Sequence, residues 1–133
     1  MLMASQLIGG NTSDIRIVQK FITEDLQGHR IIQCVVKSNN TTLKRKYGGP
    51  QIYTVKIKTQ DGDDKIKPNT KVQVYCSCHD FEFRRAYCLA QQGSLLIPEG
   101  FLPQPPEKTN PSCNIKYCKH VSAALRQLIQ TGG

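Results

Sequence analysis

Lys71-Val72-Gln73-Val74-Tyr75-Cys76-Ser77-Cys78 is the stretch on which the reading of this chain turns. Successive side chains of a strand point to opposite faces, so Val72, Val74, Cys76 and Cys78 share one side and Lys71, Gln73, Tyr75 and Ser77 the other. The valine side is the side of a core. A strand over 71–78 therefore carries two thiols that point the same way and continue the hydrophobic interior.

Working outward, the preceding runs also read as strands. Gln51 to Thr59 alternates, with Tyr53, Val55 and Ile57 facing one way and Thr54, Lys56 and Lys58 the other. His29 to Lys37 holds Ile31, Ile32, Val35 and Val36. Asn39-Asn40, Gly48-Gly49-Pro50 and Asp61-Gly62-Asp63-Asp64 separate these runs, the punctuation of an antiparallel meander covered on one face. Further upstream, Ile15, Val18, Ile22 and Leu26 recur at helical spacing behind Ser13-Asp14 and before Gly28, which predicts a helix over 14–27. Against it stands the β-rich cluster Ile15, Ile17 and Val18. Residues 1–12 read as a flexible N-terminal arm.

Downstream, Asp80 to Gln92 is expected to form a short helix between a capping Asp80 and Gly93. Pro98, Pro103, Pro105, Pro106 and Pro111 then fall within residues 93–112, a composition that resists helix and central strand alike and predicts a long surface excursion. From Tyr117 to Gln130 a helix is expected, with Val121, Ala124, Leu125 and Leu128 as its apolar stripe and Gly132 beyond its end.

At the start of that helix stands a second donor pair, Cys118-Lys119-His120. Zinc takes four nitrogen or sulfur ligands in a tetrahedron at about 2.0–2.3 Å. Cys76 and Cys78 from a strand face, with Cys118 and His120 from a helix entry, make one such set. The positive end of the helix dipole favours the Cys118 thiolate. Cys113 is a rival to Cys118, while a strand would turn His79 away from the two cysteines. Four protein ligands leave no open position, so the expected Zn2+ is single and structural.

The residues Cys76-x-Cys78-x-x-Phe81, followed by Cys118-x-His120 and an apolar helix, resemble the SWIM-type zinc finger, a CxC…CxH family. The resemblance covers 71–130. Residues 79–117 make a longer spacer than the family usually carries, and the proline-rich excursion accounts for the excess. The stretch Cys76 to Tyr87, with Asn110-Pro111 before Cys118-Lys119-His120, is also similar to a SWIM variant found in proteins of large tailed bacteriophages. The family implies a module that binds nucleic acid or protein. The phage variant implies a place in a virion or a viral intracellular complex.

The fold class expected is α+β: an antiparallel meander with an N-terminal and a C-terminal helix, joined through the zinc site. Residues 13–133 form a single zinc-stabilised domain, which suits a chain of 133 residues without tryptophan. A structural zinc contributes on the order of 10 kcal/mol to folding, comparable with the whole stability of a small domain. Closing the long excursion gives it a task.

Six cysteines without a secretion-type leader point to a reducing compartment or a virion, and to thiols rather than disulfides. Cys34 and Cys88, alone among apolar neighbours, are expected in the core. The formal net charge of +8 favours partners that carry negative charge. Candidate nucleic-acid or partner contacts are Lys44, Arg45, Lys46, Lys56, Lys58, Arg84 and Arg85, with Lys65 and Lys67 a further basic pair. Each also reads as a solvated surface charge, and Phe81, Phe83 and Tyr87 as core aromatics. Cys118 and His120 can also be read as the catalytic pair of a Cys-dependent enzyme, the main enzymatic alternative, but the upstream Cys76-x-Cys78 favours ligation. There is no glycine-rich phosphate loop, His-Glu-x-x-His, Gly-x-Ser-x-Gly or membrane-length apolar run, so neither an enzyme, a small-molecule substrate nor a membrane partner is expected. Two readings remain: a structural or interaction subunit of a larger assembly, and a SWIM-type nucleic-acid-binding module.

Overall fold

The computed structural model describes residues 2–9, 12–25, 27–38, 51–60, 62, 65–77, 94, 96 and 119–130. In chain order these form β1 (Leu2–Met3), α1 (Ala4–Leu7), β2 (Ile15–Glu24), β3 (Arg30–Ser38), β4 (Gln51–Thr59), β5 (Lys71–Cys76) and α2 (Lys119–Gln130). The five strands make one antiparallel sheet in the order β1-β5-β4-β3-β2. The α+β class expected from the sequence is borne out.

Alternation decides the faces. Ile32, Cys34 and Val36 of β3, Val55 and Ile57 of β4, and Val72, Val74 and Cys76 of β5 are all buried on one side. The helix α2 lies on this side and buries Val121, Ala124, Leu125 and Leu128, the stripe that helical spacing predicts. Burying a Val, Ile or Leu side chain stabilises by roughly 1.5–3 kcal/mol. Cys34 is the core thiol expected of it, with burial pushing it up to about 11, partly opposed by the charge of Lys20.

The predicted helix over 14–27 is not formed; residues 15–24 are the edge strand β2. Ile15, Ile17, Val18, Ile22 and Thr23 are β-branched and suit a pleated surface. Pairing with β3 supplies the hydrogen bonds that a helix would have made internally. A bulge between Ile17 and Gln19 shifts the register. Before it, Ile15 and Ile17 face the core with Ser38 and Val36; after it, Lys20 and Ile22 stand opposite Cys34 and Ile32.

Asp25 closes the β2–β3 turn. Its Oδ1 accepts from the backbone N–H groups of Gln27 and His29, and its Oδ2 accepts from Lys58 Nζ at 2.7 Å. Gly28 adopts φ +82° in this turn, a conformation that glycine reaches without steric cost.

Residues 2–9, expected as a loose arm, are packed instead. Leu2 and Met3 pair with Val72 and Lys71, and Ala4 and Leu7 are buried. The Ser122 hydroxyl accepts from Gly9 N–H and donates to Gly9 C=O, which joins this segment to α2. Further along the same edge of β5, Val74 N–H donates to Ser94 C=O and Leu96 N–H donates to Val74 C=O. The beginning of the expected surface excursion is thus bonded to the sheet, with Ser94 fully buried. The expected helix over 80–92 and the rest of the excursion lie outside the described residues.

Candidate metal centre

The strand β5 delivers Val72, Val74 and Cys76 to the core, each with no exposed surface. The expected strand reached Cys78; β5 is assigned to Cys76, and the pairing continues one residue further. Ser77 N–H donates to Thr54 C=O at 3.0 Å, and the Ser77 hydroxyl accepts from Thr54 N–H. Cys76 stands opposite Val55 on β4. Tyr53, two residues further along β4, is therefore its diagonal neighbour on the same face, about 7–8 Å away.

From the other layer, α2 begins at Lys119 and carries His120 in its first turn. The His120 ring lies against Tyr53, with centroids 4.2 Å apart and planes inclined by 40°. His120 thus stands over the end of the sheet where β5 presents Cys76. Its Nδ1 is buried and has no hydrogen-bond partner among the described residues. A buried imidazole nitrogen left this way costs on the order of 1–3 kcal/mol, and such groups call for an explanation. Ligation of a metal by that lone pair supplies one.

Of the four expected ligands, Cys76 and His120 are among the described residues, and they come from the two elements expected to bear them. Cys78 and Cys118 lie outside, as do the rival Cys113, His79 and Cys88. Among the described residues no cluster of three or more metal-ligating side chains occurs. Neither Cys34 nor Cys76 forms a disulfide. The donors described, a thiol at the core edge and an unsatisfied imidazole above it, fit zinc chemistry.

Sequence reasoning placed Tyr53 on the core face with Val55 and Ile57 but gave it no part in the site. Its signal was the same alternation; what it supports is decided by the docking of α2.

The basic candidates divide. Lys58 holds Asp25, and its side chain is only 19% exposed, so it serves the β2–β3 turn. Lys56 is half-buried on the sheet face opposite the core, beside Gln33 and Tyr75. Lys65, Lys67 and Lys71 line a cavity of about 420 Å³ with Thr59, Gln60, Asn69 and Thr70. Lys44, Arg45, Lys46, Arg84 and Arg85, with the aromatics Phe81, Phe83 and Tyr87, lie outside the described residues. No described helix is long and apolar enough to cross a membrane.

The model of the SWIM zinc finger family matches residues 53–89. That span runs from Tyr53 through Cys76 and Cys78 to Leu89, and it ends before Cys118 and His120. No curated protein and no solved structure matches the chain.

Proposed function

We propose that this chain, whose residues 53–89 match the SWIM zinc finger, is a zinc-stabilised interaction module that serves as a structural subunit of a larger assembly, such as a phage particle. The observation that carries the metal is the buried, unpartnered Nδ1 of His120 above Tyr53, beside the strand end that bears Cys76. One zinc ion would be held by Cys76, Cys78, Cys118 and His120. Cys78 follows Ser77 and Cys118 precedes Lys119, so each is one Cα step, about 3.8 Å, from a described residue of the site. With all four positions taken by protein, the ion supplies cross-linking rather than chemistry: it ties the end of β5 to the start of α2.

The family match supports zinc-dependent binding of protein or nucleic acid. The assembly reading draws on the long proline-rich segment and on the phage-variant resemblance of Cys76 to Tyr87. A reducing compartment or a virion suits a site built on thiolates.

The nucleic-acid reading is favoured by one observation, the cavity ringed by Lys65, Lys67 and Lys71, whose ammonium groups and neighbouring Thr and Asn side chains suit phosphate oxygens. Retention on nucleic acid across a salt series separates the two. Phosphate binding gives a steep salt dependence that weakens when Lys65, Lys67 and Lys71, or Lys44, Arg45 and Lys46, are changed together to Ala. No retention at low salt leaves the assembly reading. Elemental analysis is expected to find about one zinc per chain, and a fold unchanged by chelation would refute the structural role.

A further inference from the structure

The main chain around the cavity at the β4–β5 connection is tied down on every side. Lys67-Pro68-Asn69-Thr70 is a turn in which Thr70 N–H donates to Lys67 C=O at 3.0 Å and Lys67 N–H donates to the Thr70 hydroxyl at 2.9 Å. Proline at the second position presets the backbone for such a turn. Ala4 N–H donates to Thr70 C=O, Ser5 N–H to Pro68 C=O, and Gln60 N–H to Lys71 C=O. Ile66, between Lys65 and Lys67, is buried and pins the segment to the core. The cavity, about 420 Å³, is therefore preformed.

Its side chains are in the opposite condition. Gln60, Lys67, Asn69 and Lys71 line the cavity, are exposed, and make no side-chain hydrogen bond or ion pair among the described residues. Lys65 already interacts within the chain, so the anchoring charges are those of Lys67 and Lys71. No acidic and no aromatic side chain lines the cavity among the described residues. Two ammonium groups and two amide N–H donors around one space suit the several acceptor oxygens of a phosphate group. Nothing among these residues stacks on a base. The volume falls within the range of small-molecule sites, about 300–1,000 Å³, and so suits a nucleotide-sized ligand.

We propose that this cavity binds the phosphate group of a nucleotide-sized ligand, anchored by Lys67 and Lys71 and without regard to the base. The phosphate is either that of a free nucleotide or the terminal one of a single-stranded chain. The chain-borne form rests on the nucleic-acid reading; the free form stands without it. Phosphate contacts hold a ligand in place, whereas base contacts select a sequence, so the site confers affinity and not sequence preference. It is also separate from the metal centre. Lys71 and Cys76 lie five residues apart on β5, about 17 Å at about 3.4 Å per residue. Substitution of the two lysines should accordingly leave zinc in place.

Calorimetric titration of the full-length, zinc-loaded chain with pyrophosphate, AMP and CMP tests this, beside the anisotropy of a single-stranded oligonucleotide with and without a 5′-phosphate. AMP and CMP should bind equally, and pyrophosphate should compete with both. Lys67→Ala and Lys71→Ala should each weaken binding about tenfold, the worth of one charged hydrogen bond, while Lys71→Arg retains it. Both side chains are exposed, so the fold is kept, which unchanged zinc content and melting temperature would verify. Arg16→Ala with Lys37→Ala removes the same charge from the paired positions of β2 and β3 and should change little. Binding of the free ligands without the oligonucleotide supports the site and ends the nucleic-acid reading. A 5′-phosphate that strengthens oligonucleotide binding, with loss of that gain in the lysine variants, supports the chain-borne form. Oligonucleotide binding untouched by the lysine variants, with no free ligand bound, overturns the site and leaves the nucleic-acid reading standing. Equal loss in the Arg16 and Lys37 control, or no phosphate probe bound at millimolar concentration, would overturn it as well.

Discussion

The imidazole of His120 rests on the ring of Tyr53 at 4.2 Å, although 67 positions separate them in the chain (120 minus 53). This contact fixes the start of α2 over the end of β5, and the His120 Nδ1 is buried there without a hydrogen bond among the described residues. Both parts of the finding are separable by mutation.

His120→Phe keeps an aromatic ring for Tyr53 and removes the nitrogen. The variant is expected to fall from about one bound zinc to well below it in competition with a chelator, since ligation needs the lone pair. His120→Ala should lose zinc equally and lose the ring contact too, giving the lower melting temperature of the two. Equal zinc content in His120→Phe and the unmodified chain would remove His120 from the site.

The Asp25 carboxyl is held at about 2, below its ordinary 3.8, by the Lys58 hydrogen bond first and by the N–H groups of His29 and Gln27, against the opposing effect of desolvation. A carboxylate depressed in the folded state stabilises fully above its unfolded value and loses that contribution as pH falls from about 4 through about 2. Asp25→Asn should therefore melt below the unmodified chain at pH 7, and the gap should close between pH 4 and 2. Acid loss of zinc affects both chains and cancels in the comparison.

Cys34 works in the opposite direction. Its thiol is raised from 9.0 to about 11 in the folded chain. Above pH 9 the unfolded chain releases this proton and the folded chain retains it, so stability falls as pH rises from 9 to 11. Denaturant titrations across that range should give a shallower fall for Cys34→Ala, on top of a constant loss from the cavity.

Leu125 has no exposed surface and lies in the cluster formed between α2 and the sheet. Leu125→Ala should cost about 2–5 kcal/mol, read as a lower urea midpoint at unchanged slope. Ile22→Ala, at an exposed position of β2, should leave the midpoint nearly unchanged.

Sequence alone determined the elements whose pattern has one period and one buried face. Gln51 to Thr59 alternates without interruption, and β4 has those bounds. Lys71 to Cys76 alternates too, and local strand geometry is enough to put Cys76 on the valine side, where it is buried. The stripe of α2 was legible because Val121, Ala124, Leu125 and Leu128 fit only a helix.

Tertiary structure decided the rest. Between Ile17 and Gln19 the bulge inserts a residue into β2, so the face that carries Ile15 and Ile17 is continued by Lys20 and Ile22, both of them exposed. Ile15, Val18 and Ile22 keep helical spacing in the sequence, yet Val18 sits at the bulge with 55% of its surface exposed, and only hydrogen bonding to β3 settles the strand. The segment 2–9 is short and weakly patterned; it is ordered because β5 offers it an edge and Ser122 a partner, neither adjacent in sequence. The same holds for the metal centre. Spacing identifies donors, since i and i+2 of a strand share a face by local geometry. Which ring supports His120, and that its Nδ1 is buried without a hydrogen bond, depend on where α2 docks, a matter of packing between residues far apart in the chain.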